Sequence, residues 1–186
     1  MLLLSSSLVY INSESVNEAV SSTVETRNTD ENPLVGLAEE EFWPVLRVSF
    51  PAKPFPNSQL GHLFEGDNSA QQYISEISGG DSQLTTTIVG DTWASPYAES
   101  HWGTDSDTER DTGADSGGVR ELAREAIIST FSEPNWGQKH DISQWDLDGD
   151  FIIDRLLILH SGQPQEEGGP STSIWSHFSY FYEPVK

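Results

Sequence analysis

Cysteine is absent from all 186 residues, which rules out a disulfide framework and a thiolate metal site. Any bound metal must therefore be held by oxygen or imidazole. Basic residues are scarce too, 9 Lys and Arg against 30 Asp and Glu, for a formal net charge of -21. Such a surface repels nucleic acid and anionic membranes and attracts cations, so no nucleic-acid partner is expected. Long hydrophobic runs are missing as well. No segment approaches the ~20 apolar residues that span a bilayer, and stable membrane insertion is not expected either.

What remains is enough for one domain of ordinary size. Residues 1–16 open with MLLLSSSLVYI, a short apolar run followed by small and polar residues, as in a degenerate signal peptide. A basic leader and an A-x-A cleavage site are lacking, and a disordered or strand-forming terminus is the alternative. Residues 17–40 are rich in Ser, Thr, Asn, Asp and Glu, a composition that does not offset the entropy of ordering, and read as a disordered linker or a pro-segment remnant. The domain proper is expected over residues 41–186.

Phe42-Trp-Pro-Val-Leu-Arg-Val-Ser-Phe50 predicts a first strand, with Pro44 at its start and Pro51 at its end. Ser69 to Gly80 predicts a short helix: Ser69 as N-cap, Gln72 as its capping-box partner, Gly79-Gly80 as the left-handed stop, and Ala70, Tyr73, Ile74 and Ile77 as a core-packing face. A strand through QLTTTIVG follows. The acidic run around Asp105, Asp107, Glu109, Asp111 and Asp115 reads as a solvated loop without a metal template. Gly118 to Phe131 predicts an amphipathic helix with Val119, Leu122, Ala123, Ala126, Ile127 and Phe131 on one face, capped by Asp115 or Ser116. This alternation of strands and helices implies a mixed twisted sheet with packed helices, an α/β or α+β layer.

The densest chemistry lies at Asp146-Leu-Asp-Gly-Asp-Phe-Ile-Ile-Asp154. Its carboxylates stand at the first, third, fifth and ninth positions of a tight turn. Hard cations such as calcium take six to eight oxygens, and alternate side chains of a turning loop converge on one ion. The predicted ligands are Asp146, Asp148, Asp150 and Asp154, with the Ile152 carbonyl. The loop departs from an EF-hand, which has Gly where Phe151 stands and a bidentate Glu where Leu157 stands. An acidic turn whose aspartates cap backbone amides is the alternative. Asp154 to His160 then reads as a strand buried on both sides, an apolar run with charged ends. His160 and His177 read as scaffold rather than catalytic groups, and Gln165, Glu166 and Glu167 lie in a Gly-rich connection able to face a cleft.

At these residues the sequence resembles the immune inhibitor A family of secreted metallopeptidases. The resemblance rests on Asp146, Asp148, Gly149, Asp150 and Asp154 in the acidic turn, His160 and Gly162 after the strand, Gln165 and Glu166, and Trp175-Ser176-His177. Tyr73, Ser78, Gly79, Trp93, Tyr97 and the VRELAREAI helix follow the family's order. The resemblance implies a zincin-like α+β domain, a secreted or extracellular location, protein or peptide substrates and zinc as cofactor in the complete family member. The family's zinc signature is H-E-x-x-H, in which two histidines one helical turn apart bind the metal and the glutamate activates water. The histidines here stand at positions 62, 101, 140, 160 and 177, and none forms that motif. Two readings follow: the N-terminal part of a peptidase domain, inactive by itself, or a noncatalytic calcium-binding or interaction module on the same scaffold.

Overall fold

The computed structural model describes residues 37–55, 60–113, 117–132, 136, 141–177, 181 and 183–185, and the backbone of 11–12. In chain order the elements are β1 (Ile11–Asn12), β2 (Glu40–Ser49), α1 (Gly61–Phe64), α2 (Ala70–Ile77), β3 (Gln83–Ile88), β4 (Trp93–Ala94), α3 (Glu99–Gly103), α4 (Gly118–Phe131), β5 (Ile152–Ile153) and β6 (Leu157–His160). Strand β2 is the spine. Val45 is paired with both Ile88 and Leu157, and Val48 with both Trp93 and His160. Strand β6 therefore runs along one edge of β2, and β3 followed by β4 along the other.

All three pairings are parallel. The expected mixed sheet is thus corrected: among the described residues the antiparallel contacts are the separate pair of β1 with β5, Ile11 against Ile153, and the isolated bridge of Phe50 with Lys53. The reason lies in the connections, since helices fill the crossovers that parallel neighbours require. Pro44 is corrected too, from strand start to strand interior. The Val89 amide donates to the Val45 carbonyl on the β3 edge. Residues alternate edges along a strand, so Pro44 faces the β6 edge, and there the ladder begins only at Val45. A missing N–H costs nothing at that point.

Side-chain alternation divides the core into two layers. Trp43 and Val45 of β2, with Leu157 and Leu159 of β6, pack against Ala70 and Ile74 of α2. Leu46, Val48 and Phe50, with Leu156 and Ile158, pack on the other face against Leu122, Ala123, Ala126 and Ile127 of α4. A parallel sheet covered on both faces explains why Leu156 to Leu159 read as an unbroken apolar run. The four are 0, 1, 5 and 6% exposed.

Helix α2 has the predicted ends. The Gln72 amide donates to Ser69 Oγ, the Asn68 amide to the Gln72 side chain, and the Gly80 amide closes the C-terminus onto the Ser75 carbonyl. Its face is rotated from the expectation: Ala70 and Ile74 are buried, whereas Tyr73 and Ile77 are 61 and 54% exposed. The buried arc turns toward Gln71, whose amide reaches the Leu84 carbonyl of β3. Helix α4 spans the predicted residues but starts at Gly117 without a side-chain cap. Asp115 and Ser116, with residues 1–10 and 13–36, lie outside the described residues. No described helix is long and apolar enough to cross a membrane.

Candidate functional site

The turn before β5 is wound by its own aspartates. Asp146 Oδ1 accepts the amides of Gly149 (2.8 Å) and Asp150 (3.0 Å), and its Oδ2 accepts that of Phe151 (2.9 Å). Asp150 Oδ1 accepts from the Ile152 amide at 2.9 Å, and Asp154 Oδ2 from the Leu147 amide at 2.6 Å. Phe151 stands where an EF-hand has glycine and still takes the left-handed conformation, φ 67°, with its ring 58% exposed. A non-glycine residue there costs about 1–2 kcal/mol, so the loop holds the sharp turn against its own preference.

Three of the predicted ligands converge: carboxylate oxygens of Asp146, Asp148 and Asp154 lie within 4.8 Å of one another. Asp150 is not in that group, its carboxylate being turned to the Ile152 amide. Asp154 supplies the informative atom. Its side chain is 1% exposed, and its Oδ1 is buried without a hydrogen-bond partner. A buried acceptor left unpaired costs about 1–3 kcal/mol, more when charged, and a cation at that point would satisfy it. Burial, then the charge of Asp148, with Asp154 and Asp146 adding to them, pushes the Asp150 carboxyl up to about 6 against the Ile152 hydrogen bond. Asp154 is raised too, first by burial, with the Leu147 amide and the Arg155 charge opposing.

A second cluster lies at the carboxyl end of β6, and sequence reasoning missed its acids. Asp111, expected in a solvated loop, is 3% exposed and sits at φ 51°. Its Oδ2 accepts the Trp175 amide at 3.0 Å and contacts His177 Nε2, while its Oδ1 is buried without a partner. Glu99, which no motif marked, is 4% exposed and is bonded to Lys53 Nζ at 2.5 Å. Glu166 holds the Ser176 amide at 3.1 Å, so the Gln-Glu pair faces the Ile174–His177 segment rather than an open cleft. Successive amides at 174, 175 and 176 thus each donate to a carboxylate from a different part of the chain. A small cavity beside them is lined by Leu122, Ala123, Ile158, His160, Trp175 and His177. The resemblance marked Glu166, His160 and the Trp-Ser-His, but for Asp111 the only sequence signal was the spacing of acids in a loop, which carries no burial information.

The two sites differ in what they can bind. Among the described residues Asp146, Asp148 and Asp154 form the one group of three or more His, Asp or Glu side chains whose ligand atoms converge. An all-carboxylate set suits a hard cation such as calcium; it does not fit a catalytic zinc site, which draws on imidazole.

The acidic turn, the His-x-Gly after β6 and the Trp-Ser-His are the elements on which the resemblance to a metallopeptidase family rests. Residues 52–186 match the catalytic domain of the immune inhibitor A peptidase M6 family, and the chain belongs to it. Immune inhibitor A of Bacillus thuringiensis subsp. alesti is 31% identical over 119 residues, covering 58% of this chain and 17% of that protein. The pre-pro-metalloprotease PrtV of Vibrio cholerae serotype O1 (strain M66-2) is 32% identical over 126 residues, covering 60% of this chain and 13% of that protein. The chain thus spans less than a fifth of the length of these relatives.

Proposed function

We propose that the chain is the N-terminal portion of the peptidase domain of a secreted zinc-dependent metallopeptidase, whose complete form hydrolyses peptide bonds in protein substrates. The family match over residues 52–186 carries this reading. The chain's own sequence contains no H-E-x-x-H, and its converging carboxylates do not fit zinc. The purified 186-residue chain is therefore expected to leave casein intact in the presence of zinc. Zinc-dependent casein cleavage by this chain would overturn that expectation.

Within the same reading, Asp146, Asp148 and Asp154, with the Ile152 carbonyl, bind calcium and brace the turn that feeds β6. The partnerless Asp154 oxygen supports it. Calcium at a hundred times its dissociation constant should add about 2.7 kcal/mol, or roughly 5–11 °C in thermal midpoint for a domain of this size. Asp154→Asn should abolish the shift. The Asp150 carboxyl beside the site favours folding below its unfolded value near 4 and loses that contribution as pH rises through the folded value of about 6, where its charge adds to the repulsion among Asp146, Asp148 and Asp154 that a cation would relieve. The gap between calcium and chelator should therefore be wider at pH 7.5 than at pH 5. An identical midpoint with excess calcium and with chelator would remove the site.

The same orphaned oxygen favours a second reading, a noncatalytic extracellular calcium-binding or interaction module on the peptidase scaffold. Reading the coding sequence beyond Lys186 separates the two. An in-frame H-E-x-x-H supports the peptidase; a stop codon without one supports the module.

A further inference from the structure

Both ends of the Gly-rich connection after β6 are fastened to one buried acid–base pair. At its start the Gly162 amide donates to His160 Nδ1 at 3.2 Å. At its end the Ile174 amide donates to Glu99 Oε1 at 3.4 Å. The two acceptor atoms lie 3.8 Å apart, on side chains only 7 and 4% exposed. Glycine at 162 is what allows this closeness, because a Cβ there would stand 1.9 Å from Glu99 Oε1.

The hydrogen bonds fix the protonation state. An imidazole nitrogen that accepts from an amide carries no proton, so His160 is the neutral Nε2–H tautomer. Three carboxylates act on its charge, each from a different segment: Glu99 from α3, Asp111 from the loop before α4 and Glu166 from the turn at Gln165–Glu167. Lys53, bonded to Glu99, is the opposing cation. Burial holds His160 below its ordinary value, while Glu99, Glu166 and Asp111 pull it back up. These are the same three acids that hold the amides of Ile174, Ser176 and Trp175.

We propose that His160 is the proton sensor of an acid-released latch on the 162–174 loop. When Nδ1 takes a proton from solvent it stops accepting from Gly162 and becomes a donor to Glu99 Oε1. The Glu99 carboxylate turns to the imidazolium, and the Ile174 amide loses its acceptor. One protonation thus removes a tether at each end of the loop, while the Gln165 amide keeps its bond to the Ile174 carbonyl. The Trp175 and Ser176 amides keep Asp111 and Glu166, so release stops at Ile174. Ile174 and His160 both line the cavity against α4, and loosening this wall admits solvent to the face that His177 also lines. The latch depends on neither calcium nor peptidase activity.

Residue-resolved amide exchange on the full chain, corrected for the intrinsic pH dependence, tests it. As the pH is lowered from 7.5 toward the acid limit of the folded state, exchange at Gly162 and Ile174 should accelerate roughly tenfold or more, with Trp175 and Ser176 unchanged. In His160→Gln, whose side-chain oxygen still accepts from Gly162 but does not titrate, the acceleration should vanish. The His160 imidazole resonances of the unaltered chain should titrate with the same midpoint as the Gly162 release, a readout that holds even if the variant does not fold. Release that persists unchanged in His160→Gln would assign the sensor to the His177 and Asp111 pair and overturn the proposal. So would a His160 ring that stays neutral down to acid unfolding.

Discussion

Replacing Glu41 with Gln should destabilise the chain by about 3 kcal/mol, roughly 6–12 °C in thermal midpoint. Glu41 is fully buried in β2 and accepts from Arg155 Nη1 with both oxygens at 2.9 Å; the Arg155 side chain is 7% exposed. It also accepts the Trp43 indole and the Ala38 amide, each at 2.6 Å. Gln keeps the shape and one acceptor oxygen but removes the charge that balances the guanidinium. Breaking one side of a buried pair costs about 3–5 kcal/mol. The lower end is expected here because the Arg155 charge also acts on neighbouring Asp154. Adding Arg155→Met should recover most of the loss, since no buried cation then remains to be compensated. A single-substitution cost under ~1 kcal/mol would mean that water or Asp154 already neutralises Arg155 and that the pair contributes little.

This pair also shows how far the sequence could be read. Apolar periodicity located α4, and the Ser69, Gln72 and Gly79-Gly80 pattern gave the ends of α2, because both signals are local: they depend on spacing within one turn. The run Leu156 to Leu159 announced a strand buried on two faces, and the sheet covers both. Glu41 and Arg155 are 114 residues apart, and each alone looks like an ordinary surface charge. Pro44 failed for a similar reason. A proline breaks a central ladder only where its missing N–H faces a partner, and which edge that is depends on where β6 begins.

The acidic turn was legible as a cluster of carboxylates because its acids are local, and three of the four named aspartates converge. Asp150 was not separable from the others by spacing, since its capping of Ile152 depends on the turn's exact path. Of the Glu99, Asp111 and Glu166 clamp only Glu166 was marked, and its partners were not. These acids come from three loops and short helices that meet only after β6 has docked beside β2, and Asp111 was lost among the solvated acids around it.

Gly118 carries the other large expected effect, at the joint between that clamp and α4. Its φ is +66°, and a Cβ would stand 1.9 Å from the Asp111 carbonyl oxygen and 2.8 Å from the carbonyl carbon of Thr112. The same Asp111 carbonyl accepts the Val119 amide at 3.2 Å and so satisfies a donor of the first turn of α4, which has no side-chain cap. Gly118→Ala must therefore strain the backbone and push Asp111 away from the helix. Strain of about 1–2 kcal/mol and overpacking of about 1–3 kcal/mol give a combined loss of roughly 2–5 kcal/mol. Gly79→Ala is the matched control: φ is +70° but nothing lies within 4 Å of the added atom, so strain alone should cost about 1–2 kcal/mol. The excess of Gly118→Ala over Gly79→Ala in denaturant midpoint measures the packing of α4 against Asp111. Moving Asp111 also moves its hold on Trp175 and His177, so the amide of Trp175 should lose exchange protection in Gly118→Ala and keep it in Gly79→Ala. Equal losses for the two variants would show that the Asp111 loop gives way freely and that α4 does not rest on it.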